Sequence, residues 1–262
     1  MKPSRLNSGL GLSIATLLAI IATLAINTLS NIIPPGGQTV GEIANTTLDG
    51  VLITPANYAF VIWGVIYVGL IAYGLYQLGA AQRRDPALRQ VNRWLITACL
   101  AQIVWIFLFT SQWFGASTVA MAVIWLALMV SYLNLDIGVG RSSWRRRWFA
   151  QVPISIYFAW ITVATIVNVA CALYAAGYTA AAVPWTGIML GVSALIGALV
   201  AWQRRDAAFT LVLVWAYGAI AVRHGDITGI WLVAVIAAIF VLVTLAWSRY
   251  RRQPQPNSSP RP

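Results

Sequence analysis

Basic residues in this chain fall in every second gap between long apolar runs, and that alternation constrains its fold more than any other feature. Eight runs read as membrane spans, at roughly 10–30, 58–78, 94–113, 117–137, 149–174, 185–202, 207–222 and 227–247. Each approaches the ~20 apolar residues a helix needs to cross ~30 Å of hydrocarbon, and the seventh is the shortest. Lys2 and Arg5 precede the first run; Arg83, Arg84, Arg89 and Arg93 follow the second; Arg141, Arg145, Arg146 and Arg147 follow the fourth. Arg204 and Arg205 follow the sixth, and Arg249, Arg251, Arg252 and Arg261 follow the eighth. Sixteen of the seventeen basic residues thus share one side, with Arg223 alone opposite. Basic residues gather on the cytoplasmic side of a membrane, so the pattern predicts eight spans with both termini cytoplasmic; an odd count would break it.

The class follows from the same balance. With 60% apolar and 9% charged residues, the chain has too little polar surface to cover a soluble globule, and an all-α, polytopic membrane helix bundle is expected. The net charge of +11 reads as a topology signal with membrane lipids as partners. A nucleic-acid partner is not expected, because no soluble domain carries the charge. Cys99 and Cys171 lie inside apolar runs and read as small buried hydrophobes without a disulfide or metal set. The first run has a basic flank like a signal peptide, but its length and the spans after it mark a retained helix. The expected location is the plasma (inner) membrane of a bacterium. Residues 253–262, rich in Pro and Ser, are expected to be disordered.

Candidate ligand-binding residues centre on 157–168. On a helix Tyr157, Trp160, Ala164 and Asn168 fall at i, i+3, i+7 and i+11, so they share a face. A polar amide at mid-depth in a bilayer must find a partner or a ligand. Of thirteen tryptophans, Trp94, Trp113, Trp144, Trp148, Trp185, Trp202 and Trp247 lie near span ends, where indoles anchor at the headgroups. Trp63, Trp105, Trp125, Trp160, Trp215 and Trp231 lie inside spans, and each N–H there wants an acceptor.

Three ordered segments resemble the TspO/MBR family, the tryptophan-rich sensory proteins that include the mitochondrial translocator protein. Tyr157-x-x-Trp160-x-x-x-Ala164-Thr165-x-x-Asn168 is similar to the family's fifth-helix signature. Gln102-x-x-Trp105-x-x-x-Phe109 resembles its Asn-x-x-Trp-x-x-x-Phe pattern, with Gln for Asn. Pro55-x-x-Tyr58-x-Phe60-x-x-Trp63-x-x-x-Tyr67 resembles its second-span entry, with one Pro missing, Tyr58 in place of a Trp and the Gly-Pro pair absent. The resemblance covers about residues 10–175. It divides the chain into a five-helix domain (1–175), a three-helix extension (176–252) and a tail (253–262).

The resemblance implies a five-helix bundle around a pocket, capped by the loop between the first two spans. It implies that the pocket binds a tetrapyrrole such as a porphyrin, or another bulky hydrophobic molecule such as a sterol or isoprenoid, in a sensory or ligand-handling role. No cofactor is required, and a homodimer is compatible. The residues argue in parallel. Tyr58, Phe60, Trp63, Tyr67, Gln102, Trp105, Tyr157 and Trp160 supply aromatic walls with a few polar groups, Asn168 an amide, and Ala164 room, a lining suited to a large planar apolar ligand. Helix packing explains the same residues equally well from position alone. The loop 31–54, opening Pro34-Pro35-Gly36-Gly37, suits a lid or an unstructured linker.

Two other classes compete. An enzyme finds little support: the six acidic residues, Glu42, Asp49, Asp85, Asp136, Asp206 and Asp226, fall in loops or at span ends, so no buried carboxylate is expected. His224, the one histidine, reads as an exposed loop residue, or as a proton-sensitive switch with Asp226. Degradation of a bound porphyrin, known for some relatives, would need chiefly the pocket and an indole such as Trp160. A small-molecule transporter is compatible with eight spans. Gly187-x-x-x-Gly191 and Ser193-x-x-x-Gly197 offer a close-packing face, but no intramembrane charge couples to an ion.

Overall fold

The structure, a computed structural model, describes residues 9–251. Lys2, Arg5, Arg252, Arg261 and the tail 253–262 lie outside the described residues. Nine helices follow one another among them: α1 (Leu10–Ile32), the short α2 (Val40–Asn45), α3 (Asn57–Tyr76), α4 (Pro86–Thr110) and α5 (Phe114–Asn134) come first. Then come α6 (Trp144–Ala175), α7 (Ala182–Gln203), α8 (Ala207–Arg223) and α9 (Thr228–Tyr250). Seven are long and apolar enough to cross a membrane, and the chain is an integral membrane protein.

The eighth apolar helix, α8, is shorter, at 17 residues, yet it runs from one end of the bundle to the other. At its start Asp206 accepts hydrogen bonds from Tyr132 at the end of α5 and Ser155 in α6. Near its finish the Ala219 carbonyl accepts from Ala56 N–H at 3.1 Å, beside the loop that follows α2. The span read at 207–222 is therefore a traversal, about 25 Å long at ~1.5 Å per residue.

Helix α6 is central. It packs on α3, α5 and α8, while α7, α8 and α9 pack on one another and join the rest mainly through α8. Its first turns are irregular: Arg147–Gln151 form a π-turn, just before Pro153, whose ring would strike the carbonyl four residues back in a regular helix. Gly69 of α3 lies against that proline, and a Cβ there would sit 3.2 Å from the Pro153 ring.

Inward polar residues join the helices, as expected where apolar contact alone gives no drive to associate in lipid. Buried Tyr73 donates to Asn92, Asn92 Nδ2 donates to Gln77 Oε1 at 2.8 Å, and Gln77 Nε2 donates to the Ser13 carbonyl at 2.8 Å, tying α4, α3 and α1. Gly197 of α7 meets Leu213 and Val241 closely, whereas Gly187 and Gly191 face open space, so only the second half of the expected small-residue face packs.

The charge pattern survives in three dimensions. Arg146 pairs with Asp85, and the chain at Gly138 approaches the carbonyl of Arg204, which places the basic loops together at one end, the basic face. Arg223 lies at the opposite end. The seven expected anchors, Trp94, Trp113, Trp144, Trp148, Trp185, Trp202 and Trp247, are all exposed on the outside of the bundle.

Candidate functional site

Residues 33–56 form a packed cover at the end opposite the basic face. Helix α2 is started by a capping box, with Glu42 N–H donating to Thr39 Oγ1 at 3.2 Å and Thr39 N–H to Glu42 Oε2 at 2.7 Å. Hydrogen bonding to the Thr39 backbone N–H, and then to its side chain, holds the Glu42 carboxyl below its ordinary pKa. Ile43, Leu48, Val51 and Ile53 are buried beneath it. At Gly36 the backbone presses on α4, since a Cβ there would fall 1.8 Å from the Thr110 carbonyl oxygen. Arg223, the lone basic residue of this end among the described residues, reaches across from α8 to donate to Asn45 Oδ1 (2.8 Å) and to the carbonyls of Ala44 (3.1 Å) and Pro55 (3.4 Å). Of the two readings left open for this loop, the structure has the lid.

His224 follows Arg223 and is buried, with Nε2 3.3 Å from the Thr54 carbonyl. This corrects the expectation of an exposed loop histidine. The physical reason is the lid, which folds over the end of α8 and covers the ring. Burial lowers its pKa, with Arg223 adding to the effect and the Thr54 contact and Asp226 opposing it.

Beneath the cover lies a cavity of about 360 Å³. Its mouth is polar, with Asn27, Ser30 and Asn31 from α1 and Thr39 from the lid. Its walls are Phe60 and Trp63 of α3, Gln102, Trp105 and Phe109 of α4, Met121 of α5, and Trp160, Ala164, Asn168 and Cys171 of α6. Phe60 and Trp63 both meet Trp160 edge to face, at 6.1 and 6.5 Å between centroids. Trp105 packs against Phe109 at 5.2 Å. The aromatic rings are therefore turned toward one another around a void.

Of the ten residues singled out from sequence, Phe60, Trp63, Gln102, Trp105, Trp160, Ala164 and Asn168 line this cavity. Tyr67 and Tyr157 form a second layer: Tyr67 stacks on Trp63 at 5.5 Å, and Tyr157, also against Trp63, donates its hydroxyl to Gln102 Oε1 at 2.7 Å. Tyr58 is not brought to the cavity. It lies on the outer side in the 3₁₀ turn Asn57–Val61 and meets Trp215 of α8 edge-on at 5.4 Å. The tighter turn rotates it away from the face that Trp63 and Tyr67 share.

The polar groups of the site divide into engaged and free. Asn168 accepts from Trp105 Nε1 at 2.7 Å and donates to Ser117 at 3.0 Å and Thr118 at 2.8 Å, so the amide is consumed in joining α4, α5 and α6. Gln102 Nε2, by contrast, is buried in the wall with no partner, as is Tyr67 Oη in the second layer. Sequence reasoning missed the α1 rim. Asn27, Ser30 and Asn31 recur at i, i+3 and i+4 near the end of an apolar run, a polar stripe that could have marked it.

The structure also corrects the inventory of acids. Asp206 is buried at the opposite end of α8, but its oxygens accept from Tyr132, Ser155 and the N–H groups of Ala208 and Phe209, which makes it a helix cap.

A family model described as TSPO-like protein matches residues 13–247. The match runs through α7, α8 and α9, beyond the residues 10–175 over which the motifs resemble the TspO/MBR family. No curated protein and no solved structure matches the chain.

Proposed function

The chain belongs to the TSPO-like protein family, and from that premise we propose that its covered cavity binds a tetrapyrrole such as a porphyrin, or another bulky hydrophobic molecule, in a sensory or ligand-handling role. The observation that carries this reading is the cavity itself: about 360 Å³ walled by Phe60, Trp63, Trp105 and Trp160. Flat indole faces attract a flat apolar molecule over a large area, and the volume lies within the range of ligand pockets. Gln102 Nε2, a donor without a partner, sets the ligand's orientation by hydrogen bonding to a carboxylate or carbonyl at its edge. Ala164 keeps the α6 wall low between Trp160 and Asn168. The basic face lies in the cytoplasm and the lid on the far side, following the distribution of arginines.

Ligand that binds only the folded protein stabilises it by about 2.7 kcal/mol at a hundredfold excess over Kd. Protoporphyrin IX added to purified protein in detergent should therefore raise the melting temperature, and Trp160→Phe should shrink the rise. An unchanged melting temperature in the wild-type protein would refute this reading.

A further inference from the structure

At the basic face, arginines from four segments surround one hollow of about 620 Å³: Arg141 before α6, Arg147 within it, Arg204 and Arg205 between α7 and α8, and Arg249 in α9. Part of this ring is fixed. Arg205, at φ 52°, donates from Nε to the Ser248 carbonyl at 2.7 Å, and Arg249 donates to the Arg205 carbonyl at 3.0 Å. Gly138 pins the opposite wall, because a Cβ there would lie 1.7 Å from the Arg204 carbonyl oxygen. Among the described residues the one ion pair is Arg146 with Asp85, so none of these five cations has an acidic partner. The carboxylate in the wall, Asp206, already accepts four hydrogen bonds. Five guanidinium groups around one carboxylate leave an excess of positive charge that favours an anion between them, phosphate above all.

Topology alone accounts for arginines on this face, but not for what adjoins them. An apolar groove of about 500 Å³ begins at the same place, sharing Arg147, Val152, Ala207 and Ala208 with the basic hollow, and extends between α3 and α8 to Val61 and Trp215. Ala207 to Trp215 is about 12 Å of helix at ~1.5 Å per residue, close to the ~15 Å depth of one leaflet's hydrocarbon. Val65 and Leu211 on its walls are exposed, so the groove opens sideways to lipid.

We propose that this composite site holds one anionic phospholipid, its phosphate among Arg147, Arg204 and Arg249 and an acyl chain in the groove between α3 and α8. A cationic hollow at headgroup level that continues into an apolar slot one leaflet deep matches both parts of such a lipid, and a soluble anion would leave the slot unfilled.

The test is native mass spectrometry of the full chain in detergent with equal amounts of phosphatidylglycerol and phosphatidylcholine carrying the same acyl chains. One phosphatidylglycerol should be retained at least tenfold over phosphatidylcholine. Arg147→Gln with Arg204→Gln should reduce that retention roughly thirtyfold, at about a fivefold loss per charge near the surface. Leu211→Trp, which fills the groove from its exposed wall, should lose the lipid with every arginine in place. Equal retention of the two lipids by the wild-type protein overturns the proposal without reference to any variant. Release of phosphatidylglycerol by millimolar inorganic phosphate, or full retention by Leu211→Trp, also overturns it and leaves a soluble-anion site.

Discussion

Trp105 and Asn168 hydrogen-bond each other, indole Nε1 to amide Oδ1 at 2.7 Å, while Asn168 Nδ2 reaches Ser117 and Thr118 of a third helix. The amide is thus a clamp on α4, α5 and α6 in the cavity wall. Asn168→Ala would strand the indole donor and remove both bonds to α5, at about 1–3 kcal/mol. The melting temperature in detergent should fall by several degrees, and the loss of stability should exceed any loss of porphyrin affinity. A variant as stable as the wild type would contradict this role.

Arg223 anchors the lid by three hydrogen bonds to Ala44, Asn45 and Pro55. Removing charged hydrogen bonds of this kind raises local opening by about tenfold or more. Arg223→Ala should accelerate amide hydrogen exchange across residues 40–57 while leaving the centre of α6 unchanged. Exchange unaltered in the lid would show that its apolar contacts hold it alone.

His224 makes the lid sensitive to acid. Burial keeps its pKa below the ordinary 6.5, so the ring is neutral in the folded chain and the unfolded chain takes up the proton first. Its contribution to stability is complete above pH 6.5 and is lost as pH falls through the lowered folded value. Melting temperatures measured from about pH 7 to about pH 5 should fall more steeply for the wild type than for His224→Gln. Parallel profiles would contradict the assignment.

Asp206 caps α8 and receives Tyr132 and Ser155. Asp206→Ala loses the cap and leaves two hydroxyls without an acceptor, together about 2–4 kcal/mol. Denaturation in detergent should show a loss of that size, with Asp206→Asn losing less.

The spans and their order were legible because each apolar run and each arginine cluster carries its signal locally. The seventh span, α8, was readable from charge alternation even though its 17 residues are short for a span. Trp160, Ala164 and Asn168 share the cavity wall because helical spacing puts them on one face of α6, whereas Trp63 and Trp105, on α3 and α4, were marked only by the family segments. Tyr58 was not, since its orientation depends on a 3₁₀ turn and on Trp215, a residue far along the chain. The burial of His224 and Asp206 was illegible for a related reason. Both sit at helix ends, which look exposed in sequence and are covered only when the lid or the end of α5 folds over them. Asn168 was recognised as a polar group in need of a partner, but the partners, Ser117 and Thr118, are ordinary small hydroxyls with no pattern to mark them.

The central claim is that the void between Phe60, Trp63, Trp105 and Trp160 is where ligand binds, and filling it is the most direct challenge. Protoporphyrin IX titrated into purified protein, followed by quenching of tryptophan fluorescence, gives an affinity for the wild type, for Ala164→Trp inside the cavity, and for Trp215→Phe outside it. The account predicts at least a tenfold weaker affinity for Ala164→Trp and an unchanged one for Trp215→Phe. Equal affinities for the wild type and Ala164→Trp would contradict it.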